Sequence, residues 1–172
     1  MSRSWKIILI IALQIILLTT MIGSKYYTLH FGEPILLKTA PVDPWDMLRG
    51  EYVRLNYEIS RVSGNIKRDF KTGADINNQS PAYVTLEKKE KYWSVTGIYR
   101  ERPEAKDGQI IIKASTVYYD SYNNEYQIIY GIESYYVEEG VGKKLEQLNN
   151  LEVVVRVDRF GSTAIEKVIS GN

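Results

Sequence analysis

Asp43, Asp46 and Glu51 bring three carboxylates into the short stretch DPWDMLRGEYVR, with Arg49 and Arg54 among them. Oxygen ligands in such number suit a hard divalent cation. A pair of carboxylates held about 5 to 9 Å apart would instead suit glycoside hydrolysis. The same residue types also have an architectural use. Arg49 and Arg54 can neutralise the acids, and Asp beside proline readily bonds backbone amides in a turn. The architectural use is the preferred reading, and Asp43 and Asp46 stand as the weaker site candidates.

Elsewhere the chain lacks the residues that other chemistries require. No cysteine is present, so disulfides, thiol catalysis and Cys-ligated metals are excluded. The lone His30 rules out two-histidine metal motifs. No serine has a lysine three positions later, and none lies in a nucleophile elbow. GVGKK at 140–144 lacks the P-loop spacing and reads as a helix lead-in. The 22 basic and 21 acidic side chains nearly cancel, so no nucleic-acid partner is expected. No catalytic residue, cofactor or metal is assigned.

The elements that must position these residues begin with an apolar run. Arg3 and Lys6 precede an uncharged segment from Ile7 to Ser24, broken only by Gln14, Thr19, Thr20 and Ser24. At about 1.5 Å per residue this approaches the thickness of a bilayer core. An uncleaved anchor over residues 1–25, meeting the bilayer through residues 7–24, is the expected form. Its rival is a signal peptide, for which small residues at the cleavage positions are hard to find near TTMIGSK. A buried soluble helix fits less well, because all faces of the run are apolar. Positive charge before the span predicts a cytoplasmic N-terminus and a single pass, with residues 26–172 outside the cytoplasm at the cell membrane. Trp5, Tyr26 and Tyr27 fit an interfacial aromatic belt.

Beyond Lys25 the dominant period is two, which is the mark of strands with one buried face. In EYVRLNYEI, Val53, Leu55, Tyr57 and Ile59 share one face. Further strands are expected at 34–40, 82–89, 92–99, 109–120, 125–137, 151–158 and 162–170. Polar turns at 89–91, 121–124 and 159–161 join three hairpins, and Gly161 can supply a positive φ. The expected fold is mainly β, antiparallel hairpins in a sandwich or partly open barrel, with one short helix at 141–150 and a long loop at 63–82 that holds at most one helical turn. The 14 tyrosines include doublets at 26/27, 118/119 and 135/136, which place one ring on each strand face. Exposed rings would stack on sugars; half-buried rings simply suit a sheet.

RGEYVRLNY at 49–57 resembles the signature of the GDYXXLXY family of membrane-anchored proteins. Gly50, Tyr52, Leu55 and Tyr57 match it, Glu51 stands where the family has Asp, and Arg49 precedes it. PVDPWDMLR resembles the family's Pro-Asp-Pro lead-in, GIESYYVEEGVGKKLE at 131–146 resembles a later block, and the hairpin ending VISGN is similar too. The resemblance implies an outward-facing, single-pass protein with a multi-pass membrane protein as its partner. The layout is also similar to that of type I signal peptidases. Here, however, Thr39, Ala40, Pro41, Val42 and Asp43 precede Pro44 without the nucleophilic serine, so that chemistry cannot run. The expectation is a non-enzymatic accessory or binding partner of another envelope or integral membrane protein. Its alternatives are a hydrolase or metal-dependent enzyme using Asp43, Asp46 and Glu51, and a glycan-binding module using exposed tyrosines.

Overall fold

The computed structural model of the chain describes residues 3–40, 52–76, 81–136 and 151–171. The apolar run becomes helix α1, Arg3–Phe31, of 29 residues. Helix geometry makes this about 43 Å, well beyond the roughly 30 Å of a bilayer core. Side chains from Ile7 to Leu18 are exposed on every side, so the helix is long and apolar enough to cross a membrane as an anchor or a signal sequence. The hydroxyls near its end bond back to the helix. Thr19 and Thr20 donate to the carbonyls of Ile15 and Ile16 at 2.8 Å, and Ser24 donates to Met21 O at 2.8 Å. Hydroxyls returned to the helix in this way are not left unpaired on its apolar surface.

Past Lys25 the helix continues through Tyr26 to Phe31 and docks on the β domain. Lys25 Nζ donates to Thr163 O at 2.9 Å, and the buried Thr28 Oγ1 donates to Asp158 Oδ2 at 2.8 Å. Gly32 ends the helix, its N–H bonding Thr28 O at 2.9 Å, while Arg156 reaches its carbonyl at 3.1 Å. A β-carbon at Gly32 would meet the Thr28 carbonyl, the Val157 amide and the Arg156 β-carbon. Only glycine permits so close an approach between helix end and sheet.

The strands follow in chain order: β1 Glu33–Lys38, β2 Tyr52–Arg54, β3 Arg61–Ser63, β4 Lys67–Arg68, β5 Ala82–Lys89, β6 Tyr92–Tyr99, β7 Gln109–Ala114, β8 Thr116–Asp120, β9 Glu125–Ile129, β10 Ser134–Tyr136, β11 Leu151–Val157 and β12 Thr163–Ser170. They form sheets in the orders β1-β11-β12, β10-β2, β3-β9-β8 and β4-β6-β5-β7. All pairs are antiparallel except β4 with β6. The architecture is therefore mainly antiparallel β in several sheets, without a closed barrel among the described residues.

The three expected hairpins form, β5–β6, β8–β9 and β11–β12. Their turns place Glu90, Asn124 and Gly161 at positive φ, of 54°, 53° and 84°. Two expected strands break in the middle. Residues 109–120 divide at Ser115 into β7 and β8, and 125–137 divide around Gly131, whose φ is 83°. Each half then serves a different sheet, which a continuous period-two pattern does not reveal. The expected strand at 51–59 narrows to β2 and is followed by a 3-10 turn at Glu58–Ser60. The expected loop at 63–82 holds β4 and a 3-10 turn at Gly73–Ile76, and it is pinned by Phe70 and Ile76 in the core. The expected helix at 141–150 lies outside the described residues.

Candidate functional site

The described half of the motif is interior. Val53, Leu55, Tyr57 and Ile59 are all buried, as their alternation predicts, while Arg54 and Glu58 face solvent. Leu55 N donates to Glu133 O at 2.7 Å. The segment at 55–60 has no continuous ladder partner, so its buried polar groups need others. Tyrosine supplies them from both sides. Tyr57 Oη donates to Ile132 O at 2.7 Å, and Tyr130 Oη donates to Ile59 O at 2.7 Å. The Glu133 carboxylate then accepts from Tyr130 N at 2.6 Å and Gly131 N at 2.9 Å, holding the opposite turn. Burial, and secondarily the Glu133 charge, pushes both phenols well above the ordinary range for tyrosine.

Asp43, Asp46, Arg49, Gly50 and Glu51 lie outside the described residues, and Tyr52 enters only as the backbone of β2 opposite Tyr136. The site candidates are thus divided. Leu55 and Tyr57 belong to the core and its reciprocal tyrosine clasp. Thr39, the hydroxyl nearest the signal-peptidase position, donates to Leu151 O at 2.7 Å. Among the described residues no group of three His, Cys, Asp or Glu side chains is placed to hold a metal ion.

A cleft of about 460 Å³ opens between the 3-10 turn at 58–60 with β3 and the β5–β6 hairpin, lined by Lys38, Glu58, Arg61, Lys89, Tyr92 and Trp93 among others. Lys38 and Glu58 pair across it at 2.7 Å. Behind the hairpin, Glu152 of β11 is only 2 % exposed. Its Oε1 accepts from Lys91 Nζ and Tyr92 Oη, each at 2.7 Å, and its Oε2 has no hydrogen-bond partner. The Lys91 hydrogen bond outweighs desolvation and holds the Glu152 carboxyl below its ordinary value. The bond to Glu152 raises Lys91 and Tyr92, and the bond to Glu58 raises Lys38. Every shift moves away from neutrality.

The Glu152 cluster was missed by reading the chain, because Lys91 and Glu152 stand 61 positions apart. Its one sequence signal is an acid at the start of the otherwise apolar LEVVV. The tyrosine doublets behave as expected at two places, with Tyr118 and Tyr136 exposed while Tyr119 and Tyr135 pack on the core. The exposed rings of Tyr118 and Tyr136 belong to different sheets. A flat sugar-stacking platform would need them on one face.

No curated protein and no solved structure matches the chain. The family model described as "GDYXXLXY protein" matches residues 14–168, from inside α1 almost to the end of β12. That span takes in the buried Leu55 and Tyr57, the clasp they join and the β11–β12 hairpin that receives the helix. The chain belongs to the GDYXXLXY family.

Proposed function

We propose that this chain is a single-pass, membrane-tethered accessory protein whose β domain stands outside the cytoplasm and binds or supports an integral membrane protein without catalysing a reaction. The observation that carries this reading is the junction at residues 25–32, where α1 runs without a linker into the sheet and is bonded to β11 and β12. A flexible leash would suit a roaming enzyme; a rigid junction holds a binding surface at fixed height above the bilayer and in one orientation on its helix. The self-paired charges of the cleft and the burial of Leu55 and Tyr57 support a binding role over a catalytic one. The exposed apolar faces of α1 and the cleft beside Trp93 offer a partner two surfaces among the described residues.

Crosslinking in intact membranes, followed by identification of the adduct, tests the reading. A specific adduct with another integral membrane protein is expected. Recovery of uncrosslinked chain alone, at reagent concentrations that crosslink known membrane complexes, would overturn it.

A further inference from the structure

The β11–β12 turn is built beside the last turns of α1, and its direction follows from the strand register. Glu33 pairs with Val157 and Lys38 with Glu152, so β1 leaves the helix end while β11 returns toward it. Gly32 lies against Val157 and Arg156, and Thr28 bonds Asp158. Lys25, nearer the apolar run, bonds Thr163. Moving from Gly32 back to Thr28 along the helix therefore corresponds to moving from Val157 to Asp158, into the turn, while the long Lys25 side chain meets Thr163, the strand partner of Val157. The turn at 159–162 therefore lies alongside the last turns of α1, on the side toward the apolar run.

Its height can be bounded. Thr28 lies four residues beyond Ser24, which is about 6 Å of helix rise. A headgroup layer is roughly 5 to 8 Å thick on each side of the hydrocarbon core. The turn thus falls within that layer, and its residues suit the place. Phe160 is 48 % exposed, and the Arg159 guanidinium lies over its ring at 4.7 Å. Arg102 reaches the turn from the neighbouring loop, donating to Arg159 O at 2.6 Å. A cleft of about 310 Å³ opens here, lined by Phe31, Glu33, Arg102 and Arg159 among others. Asp158 forms no ion pair with either arginine. Its Oδ1 is taken by Phe160 N and Ser162 N, each at 2.9 Å, and its Oδ2 by Thr28.

We propose that the β11–β12 turn is a second membrane contact, in which Phe160 enters the interface and Arg159 and Arg102 bind the phosphates of anionic lipid headgroups. This rests on α1 being a retained anchor. An aromatic ring beside guanidinium groups is the chemistry of interfacial anchoring, and each basic residue at an anionic surface strengthens the contact about five-fold. The contact fixes the rotation of the domain about the helix axis, which one helix alone leaves free.

Because the chain has no cysteine, single labelling sites can be introduced into the full-length protein. Fluorophores at Phe160→Cys, Tyr122→Cys and Leu13→Cys would be compared in nanodiscs of phosphatidylcholine alone and of phosphatidylcholine with phosphatidylglycerol, using a water-soluble quencher. Tyr122, 94 % exposed, reports free solvent, and Leu13 reports the anchor. The expected result is quenching at 160 several-fold weaker than at 122, with the difference enlarged by phosphatidylglycerol and reduced by Arg102→Ala with Arg159→Ala. Quenching at 160 equal to that at 122, with 13 still shielded, overturns the turn contact alone. Equal shielding at 160 in both lipid mixtures overturns the role of the arginines. Quenching at 13 would remove the anchor and the turn contact together.

Discussion

Leu55 and Tyr57 show how much of a family signature can be interior packing. Leu55 is 2 % exposed within the core, so Leu55→Ala is expected to cost about 2 to 5 kcal/mol, read as a lower denaturation midpoint at unchanged slope. Tyr57→Phe keeps the ring but strips the Ile132 carbonyl of its donor, and an unpaired buried acceptor costs about 1 to 3 kcal/mol. The clasp also sets a pH dependence. Tyr57 and Tyr130 have folded values raised above the ordinary tyrosine value of 10.0, so their contribution is intact below that pH and is lost as pH rises past it. Alkaline unfolding monitored by circular dichroism should therefore begin above pH 10, and Tyr57→Phe with Tyr130→Phe should flatten that limb while lowering stability at neutral pH. Glu152 acts at the other end. Its folded value is lowered from 4.5, so its pairing stabilises above that pH and is lost as pH falls below it. In Glu152→Gln the acid limb should be shallower.

At the scale of elements, the helix–sheet junction is where sequence and structure differ most usefully. Hydropathy marks the end of the apolar run at Ser24, yet the helix continues to Phe31 because Lys25 finds a partner on β12 and Thr28 one at Asp158, just past β11. Those partners lie 138 and 130 positions away, and no local pattern records them. The same holds for Ser115 and Gly131, where one apparent strand becomes two because each half meets a different neighbour. By contrast, the alternation at 53–59 and the three hairpin turns were legible, since burial on one face and positive φ are local demands. Of the candidate site, the inward placement of Leu55 and Tyr57 could be read directly. The clasp partner Tyr130 and the Glu152 cluster could not, because both are long-range pairings. Gly32→Ala tests the junction. Its β-carbon would strike backbone of both helix and sheet, so a loss of about 1 to 3 kcal/mol is expected, with faster proteolysis between α1 and β1. Unchanged protease resistance would mean that helix and sheet are not in register as described.

In the whole molecule, a bilayer-length helix is joined to a β domain by bonds rather than by a linker. The domain then inherits the position and tilt of its helix, and under the proposed function a protein partner would meet a surface already oriented. Such preorganisation lowers the entropic cost of association in the membrane. A phosphatase fused to the carboxyl terminus of the full-length chain, assayed in alkali-washed membranes and in the soluble fraction, tests this arrangement most directly. The account predicts an active phosphatase that stays with the washed membranes. An inactive fusion would place the domain in the cytoplasm, and activity released to the soluble fraction would show that α1 is a cleaved leader; either result contradicts the tethered, outward-facing protein.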